Sequence, residues 1–320
     1  MQIPGVDHLH VFEEDLEAAA NRLYETLGIR WIKAIERDWV HIRVTFSDNG
    51  IEIIQPTGGD PIGIEAYLKK HGPGIGSVGL RVPDIEAAIS EFEANGVQIE
   101  SRGSYALYPE RKPDIKAAIF KPESAHGIPF ELVEYRWMSP MGIAAINLVS
   151  DMSWLQPETK PKSATSVRAD RIDHINFFQD NLEASVKFFG KLLNIKWIGP
   201  IDFPELKLRV AFSEVGFNIV QPTGQDRMGV SDYMKKHGEG VGSLGFKVVD
   251  IEAAIKELAS KGVRLIGRGL YVDKPNCDLK AAVFDPDSTC GIMVQLVEYQ
   301  TATAVAIGNL EWMKNQPWMD

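Results

Sequence analysis

The 320-residue chain is long enough for two domains of ordinary size, each with its own core. Its formal net charge of −10 excludes nucleic acid and anionic membrane as default partners, though a local basic cleft for a small anion stays open. Two cysteines, Cys277 and Cys290, form neither a disulfide framework nor a metal-finger spacing. The N-terminal MQIPGVDHLHVF has no basic stretch leading into an apolar run, and no segment approaches the ~18 apolar residues of a membrane span. The expectation is a cytoplasmic protein with no membrane association.

In chain order, His8 to Val11, His41 to Phe46 and Ile51 to Ile54 alternate apolar and polar residues and read as strands. Between the first two, Glu14 to Leu27 has helical spacing, with Leu16, Ala20, Leu23 and Leu27 on one side and Gly28 as the stop. KKHG at Lys69 reads as a turn, with His71 (and His237 in its later copy) at the surface. A second round follows: strand Ser77 to Val82, then helix Asp84 to Ala94 with Asp84 as N-cap. Strands around Val97 to Glu100, Lys116 to Phe120 and Phe130 to Glu134 complete it. GPGIGSVG enters a strand without the Lys-Ser/Thr pair and helix of a phosphate loop. Ser77 and its later copy Ser243 lack the context of a nucleophile.

The order then repeats. DHLHVFEEDLEAA at Asp7 returns as DHINFFQDNLEAS at Asp173, QPTGGD at Gln55 as QPTGQD at Gln221, and DIEAAI at Asp84 intact at Asp250, always 166 residues on. From KAAIF at Lys116, paired with KAAVF at Lys280, the offset falls to 164, so the second copy lacks two residues of one loop. This is internal duplication. The domains expected are 1–137 and 170–300, joined by a Pro-containing linker over 138–169 and followed by a tail over 301–320. The tail echoes part of the linker, and each of these segments is expected to pack on the domain it follows.

Each copy performs strand–helix–three strands twice. With VDHLHVF, IEIIQP, KKHG before a glycine-rich strand, DIEAAI, NGV and ELVE, the chain resembles the vicinal oxygen chelate superfamily of glyoxalases, epimerases and extradiol dioxygenases. The wording is most similar to methylmalonyl-CoA epimerase. The resemblance implies an α+β fold of two tandem domains, each a pair of βαβββ modules forming a curved mixed sheet. It implies metal ligands at His8, Glu52, Ser77 and Glu131 in the first copy and at His174, Asn218, Ser243 and Gln295 in the second. Many metal-binding relatives carry histidine where the two serines stand. His8, Glu52 and Glu131 make an N/O set suited to Mn, Fe, Co or Zn, and His10, two residues on, shares the His8 face. The second copy offers neutral amides, so no metal is expected there.

Strand alternation would turn Ile42, Val44 and Phe46 toward the helices, leaving His41, Arg43 and Thr45 on the concave side. The same reading places Ser77 and Arg81 there, and Lys207, Arg209 and Lys247 in the second copy. Such a cleft suits a small, anionic substrate. Three functions are open. The first is a metal-assisted isomerase, epimerase or lyase acting through an enol(ate), with Glu131, His10 and Arg43 catalytic and Ser77, Arg81, Lys207, Arg209 and Lys247 binding substrate. The second is an extradiol-type dioxygenase using iron. The third is a metal-free cleft that binds or transforms a small molecule, lined by Tyr105, Tyr108 and Tyr271. The resemblance also allows a homodimer.

Overall fold

A computed structural model describes residues 6–59, 62–105, 115–136, 167, 172–274 and 277–300. The linker (save Val167), the tail, Tyr108 and the side chains of Tyr105 and Cys277 lie outside the described residues. Among those described, no helix is long and apolar enough to cross a membrane.

The first domain runs β1 (Val6–Phe12), α1 (Leu16–Leu27), β2 (Ile35–Arg37), β3 (Ile42–Phe46), β4 (Ile51–Pro56), α2 (Ile64–His71), β5 (Gly74–Arg81), α3 (Ile85–Ala94), β6 (Ile99–Tyr105), β7 (Ile115–Phe120) and β8 (Phe130–Tyr135). The second repeats it as β9 (Ile172–Phe178), α4 (Leu182–Leu193), β10 (Trp197–Phe203), β11 (Leu208–Ser213), β12 (Phe217–Pro222), α5 (Val230–His237), β13 (Gly240–Lys247), α6 (Ile251–Ser260), β14 (Leu265–Lys274), β15 (Cys277–Phe284) and β16 (Met293–Tyr299). Each domain is one eight-stranded mixed sheet, ordered β2-β3-β4-β1-β5-β8-β7-β6 and β10-β11-β12-β9-β13-β16-β15-β14. The first strands of the two modules, β1 and β5, pair antiparallel at the centre, and each runs parallel to the last strand of its own module. The tandem α+β architecture expected from the duplication is the one observed.

Local chemistry sets the helix ends. Asp15, Asp84, Asn181 and Asp250 each accept a backbone N–H three residues on, satisfying a donor that the first turn leaves free. Gly28 closes α1 in the left-handed conformation, as its position predicts. One element differs from the sequence reading: KKHG is the last turn of a helix, α2, rather than a free turn, and its copy ends α5. With the His71 ring tilted against Tyr67 at 4.8 Å, these basic residues sit where the helix dipole favours positive charge. The strand read near Val97 to Glu100 also runs on to Tyr105, and its copy to Lys274.

The outer faces of both sheets, with α1, α3, α4 and α6, share one continuous apolar core. Phe130 of the first domain packs edge-on against Phe177 and Phe189 of the second. Polar contacts cross the same junction. The Arg22 guanidinium donates to the carbonyls of Ser288 and Lys261, and Lys261 Nζ donates to the Glu25 carbonyl at 2.7 Å. Gly127 and Gly291 occupy equivalent places against the backbone at Glu239 and Pro73. A Cβ at either would overlap that backbone, and both have positive φ.

Candidate functional site

The concave face of the first sheet collects five polar side chains from four central strands. β1 supplies His8 and His10, two apart and so on one face; β4 supplies Glu52, β5 Ser77 and β8 Glu131. His8 Nε2 lies 3.3 Å from Glu131 Oε2, and its Nδ1 lies 4.0 Å from Glu52 Oε1. His10 Nε2 is 3.3 Å from Glu52 Oε2, and its Nδ1 is 3.4 Å from Glu131 and 2.8 Å from Ser77 Oγ. Gly79 makes this possible, because a Cβ there would overlap the His8 ring.

All five are largely removed from water; His10 is the most exposed, at 15 % of its side chain. Burial alone would pull the His8 pKa down, but Glu52, Asp7 and Glu131 around it hold it well above the ordinary 6.5. Burial pushes Glu131 the other way, and the neighbouring His10 and His8 outweigh it to keep the carboxyl below its usual value. Glu52 Oε1 is buried with no hydrogen-bond partner. Two buried carboxylates facing two imidazoles, with an acceptor left over, form a donor set that suits a divalent cation. Ligand atoms of His8, His10 and Glu52 lie within 4.8 Å of one another.

Two residues that motif reading passed over hold this floor in place. Asp7 Oδ2 accepts from His8 Nδ1 at 2.9 Å and from the Tyr135 hydroxyl at 2.6 Å. A buried carboxylate on the far nitrogen fixes the ring and leaves Nε2 facing the site. The signal was available in the repeat, since Asp173 binds His174 Nδ1 at 2.8 Å and the Tyr299 hydroxyl at 2.6 Å.

The second floor keeps the plan and loses the charge. Asn176, Asn218 and Gln295 replace His10, Glu52 and Glu131, and Ser243 copies Ser77. His174 Nε2 lies 2.9 Å from Gln295 Oε1; Asn176 Nδ2 donates to Ser243 Oγ and Gln295 Oε1, and Asn218 Nδ2 donates to Asn176 Oδ1. Tyr271, expected in a cleft, lines the pocket above this floor.

The basic residues expected in the clefts are mostly elsewhere. Arg43 donates to both carboxylate oxygens of Glu17 on α1 and to Gln55, so it lies on the helix side of β3. Thr45 is buried on that side too, bonded to the Ile32 carbonyl. Instead Ile42, Val44 and Phe46 form an apolar cluster with Ile54 and Ile115. His41 precedes β3 as a left-handed cap. Arg209 repeats the correction, paired with Glu183 of α4 and Asp202, and Lys207 is an exposed residue with positive φ before β11. Arg81 and Lys247 end their strands over the rings of Tyr135 and Tyr299, at 5.8 and 5.7 Å.

Residues 7–112 and 173–279 match the family model described as Glyoxalase/Bleomycin resistance protein/Dioxygenase superfamily. The chain belongs to this superfamily. No sequence in the curated protein set matches it. A 4-hydroxymandelate synthase variant from Streptomyces coelicolor is 13 % identical, with TM-score 0.65 over 98 % of this chain and 100 % of its own. A xylose isomerase-like TIM barrel/4-hydroxyphenylpyruvate dioxygenase fusion protein is 16 % identical, with TM-score 0.58, and 98 % of this chain covers 52 % of it. A methylmalonyl-CoA epimerase from Streptomyces coelicolor matches 42 % of this chain at 20 % identity and TM-score 0.35. At these identities the first two likenesses establish the tandem glyoxalase-type fold and leave chemistry to the site.

Proposed function

We propose that the first domain is the catalytic centre of a metal-assisted isomerase, epimerase or lyase acting through an enol(ate) on a small carbonyl or carboxylate compound. The observation that carries this is the convergence of His8, His10, Glu52 and Glu131 with one carboxylate oxygen left unpartnered. His8, Glu52 and Glu131 would hold the ion. Bound there, a Mn, Fe, Co or Zn ion would supply Lewis-acid polarisation of the substrate carbonyl. His10 is the most exposed of the four, so it meets substrate and carries the proton between carbon atoms. Ser77 Oγ on Nδ1 fixes its ring, and Nε2, 3.3 Å from Glu52 Oε2, is the nitrogen that would exchange the proton. Arg81, beyond Tyr135, receives an anionic group of the substrate.

A second reading is favoured by one observation: His8, His10 and Glu52 also form a two-histidine, one-carboxylate set. That set suits an iron-dependent dioxygenase, and a dioxygenase is one of the two parts named in the fusion protein of similar tandem fold. The two readings differ in the work of His10, proton carrier or ligand. Elemental analysis of protein purified without chelator, for wild type, His8→Ala and His10→Gln, separates them. Alongside it, solvent deuterium uptake next to the carbonyl of short 2-oxo acids and acyl thioesters is followed by NMR. The first reading expects His10→Gln to keep its metal and lose exchange, while His8→Ala loses both. Metal lost from His10→Gln, with iron and oxygen consumption in wild type, would hand the site to the dioxygenase. Folded wild type without metal would overturn both.

A further inference from the structure

The second domain holds a cavity of about 50 Å³ over its neutral floor. Its floor presents His174, Asn176, Asn218, Ser243 and Gln295, Tyr271 and Tyr299 also line it, and its lining includes no Asp, Glu, Lys or Arg. The rest of the wall is largely apolar, with Val210, Phe212, Leu279 and two methionines, Met228 and Met293, among its residues. Both methionines are 2 % exposed, and their unbranched thioethers can adjust to an occupant.

One atom in this floor points to a ligand. Asn218 is 2 % exposed and its Nδ2 is bonded to Asn176, yet its Oδ1 has no hydrogen-bond partner. A buried acceptor without a donor is costly, and a cavity beside it is where the donor belongs. At 10–15 Å³ per water-sized group, the space admits about four such groups.

We propose that the second domain is a separate, metal-independent binding site for a small uncharged molecule with a short apolar body and a hydrogen-bond-donating head, an amide or alcohol. The head donates to Asn218 Oδ1, and the body lies against Met228, Met293 and Val210. An anion is disfavoured, because the walls are largely apolar and no Lys or Arg lines the cavity to offset its desolvation. A divalent ion is disfavoured because the floor holds amides where the first domain has carboxylates.

The test uses full-length protein with ¹³C-methyl methionine, so that Met228 and Met293 report directly on the cavity. Three probes share one two-carbon skeleton small enough for the space: acetamide donates a hydrogen bond, acetonitrile only accepts, and acetate is charged. Acetamide is expected to shift both methyl signals saturably, with a dissociation constant in the millimolar range for so small a molecule. Acetonitrile and acetate should bind about tenfold more weakly, consistent with one unsatisfied buried acceptor. Asn218→Leu, near in volume, should erase the preference for the amide, with folding checked by thermal melting. Glu52→Asn in the first domain and added chelator should leave the titration unchanged. No saturable shift in wild type, equal binding of acetate, or a titration lost with chelator would each overturn the proposal. An unaltered amide preference in folded Asn218→Leu would do so as well.

Discussion

The two concave floors share a frame and differ in charge. In both, an aspartate and a tyrosine fix a histidine, Asp7–His8–Tyr135 in one and Asp173–His174–Tyr299 in the other, at nearly the same distances. Around this frame three substitutions change an imidazole and two carboxylates into three amides. The amides bond among themselves, and each floor leaves one buried acceptor at the same place without a hydrogen-bond partner, Glu52 Oε1 in one and Asn218 Oδ1 in the other. The frame is therefore a property of the fold, and the charge that the proposed cation would need resides in His10, Glu52 and Glu131.

The domain junction offers a second such comparison. Gln179, Ser185 and His126 bond to one another and to the His126 backbone. Their repeats are Glu13, Ala19 and Cys290, where Glu13 Oε1 is buried without a hydrogen-bond partner. Burial, with Glu14 and Asp15 nearby, pushes the Glu13 carboxyl up to about 8, and burial pushes the Cys290 thiol up to about 12. One junction cluster bonds its polar groups to one another, and the other holds a carboxyl that burial favours in its protonated form.

The largest expected effect comes from exchanging the floors. His10→Asn, Glu52→Asn and Glu131→Gln together should reduce metal from about one equivalent to background in elemental analysis. The reciprocal Asn176→His, Asn218→Glu and Gln295→Glu should add a second equivalent. A folded graft that takes up no metal would mean that more than these three residues separates the domains. His10→Gln alone should slow catalysed proton exchange by about 10²–10⁴-fold, the ordinary yield of a positioned acid–base group.

Asp7→Asn should weaken metal binding by about 10–100-fold, as measured by competition with a chelating dye. Asp173→Asn should leave metal content unchanged, and a matching loss there would place the ion in the wrong domain. The smallest effect belongs to the junction. Glu13 has its pKa raised above its ordinary 4.5, so its contribution is fully present below that value and is lost as pH rises toward about 8. Glu13→Gln should remove that slope and stabilise the protein by about 1–3 kcal/mol at pH 8 and above. Thermal melts from pH 4 to 9 read it, and parallel curves for variant and wild type would refute the assignment.

Much of the molecule was legible in the chain. The duplication, its loop deletion and the helix caps follow from local wording, because caps and stops need particular residues at particular places. His8, Glu52 and Glu131 also fall on one concave face, because each alternates with residues that enter the core: Leu9, Ile51, Ile53, Phe130 and Leu132 are fully buried. For β3 the same reasoning failed. Alternation tells which residues share a face, and it names the face only when one side is wet. Here both sides are covered: Val44 and Phe46 enter an apolar cluster inside the concave sheet, while Arg43 reaches Glu17 on α1. A sequence therefore determined the repeat, the modules and the residue types on the concave floors by itself. Which side of β3 faces the site, the Asp–His–Tyr frame, and the proximity of Glu13 to Cys290 across the junction were decided only by tertiary packing, since each depends on residues far apart in the chain meeting out of water.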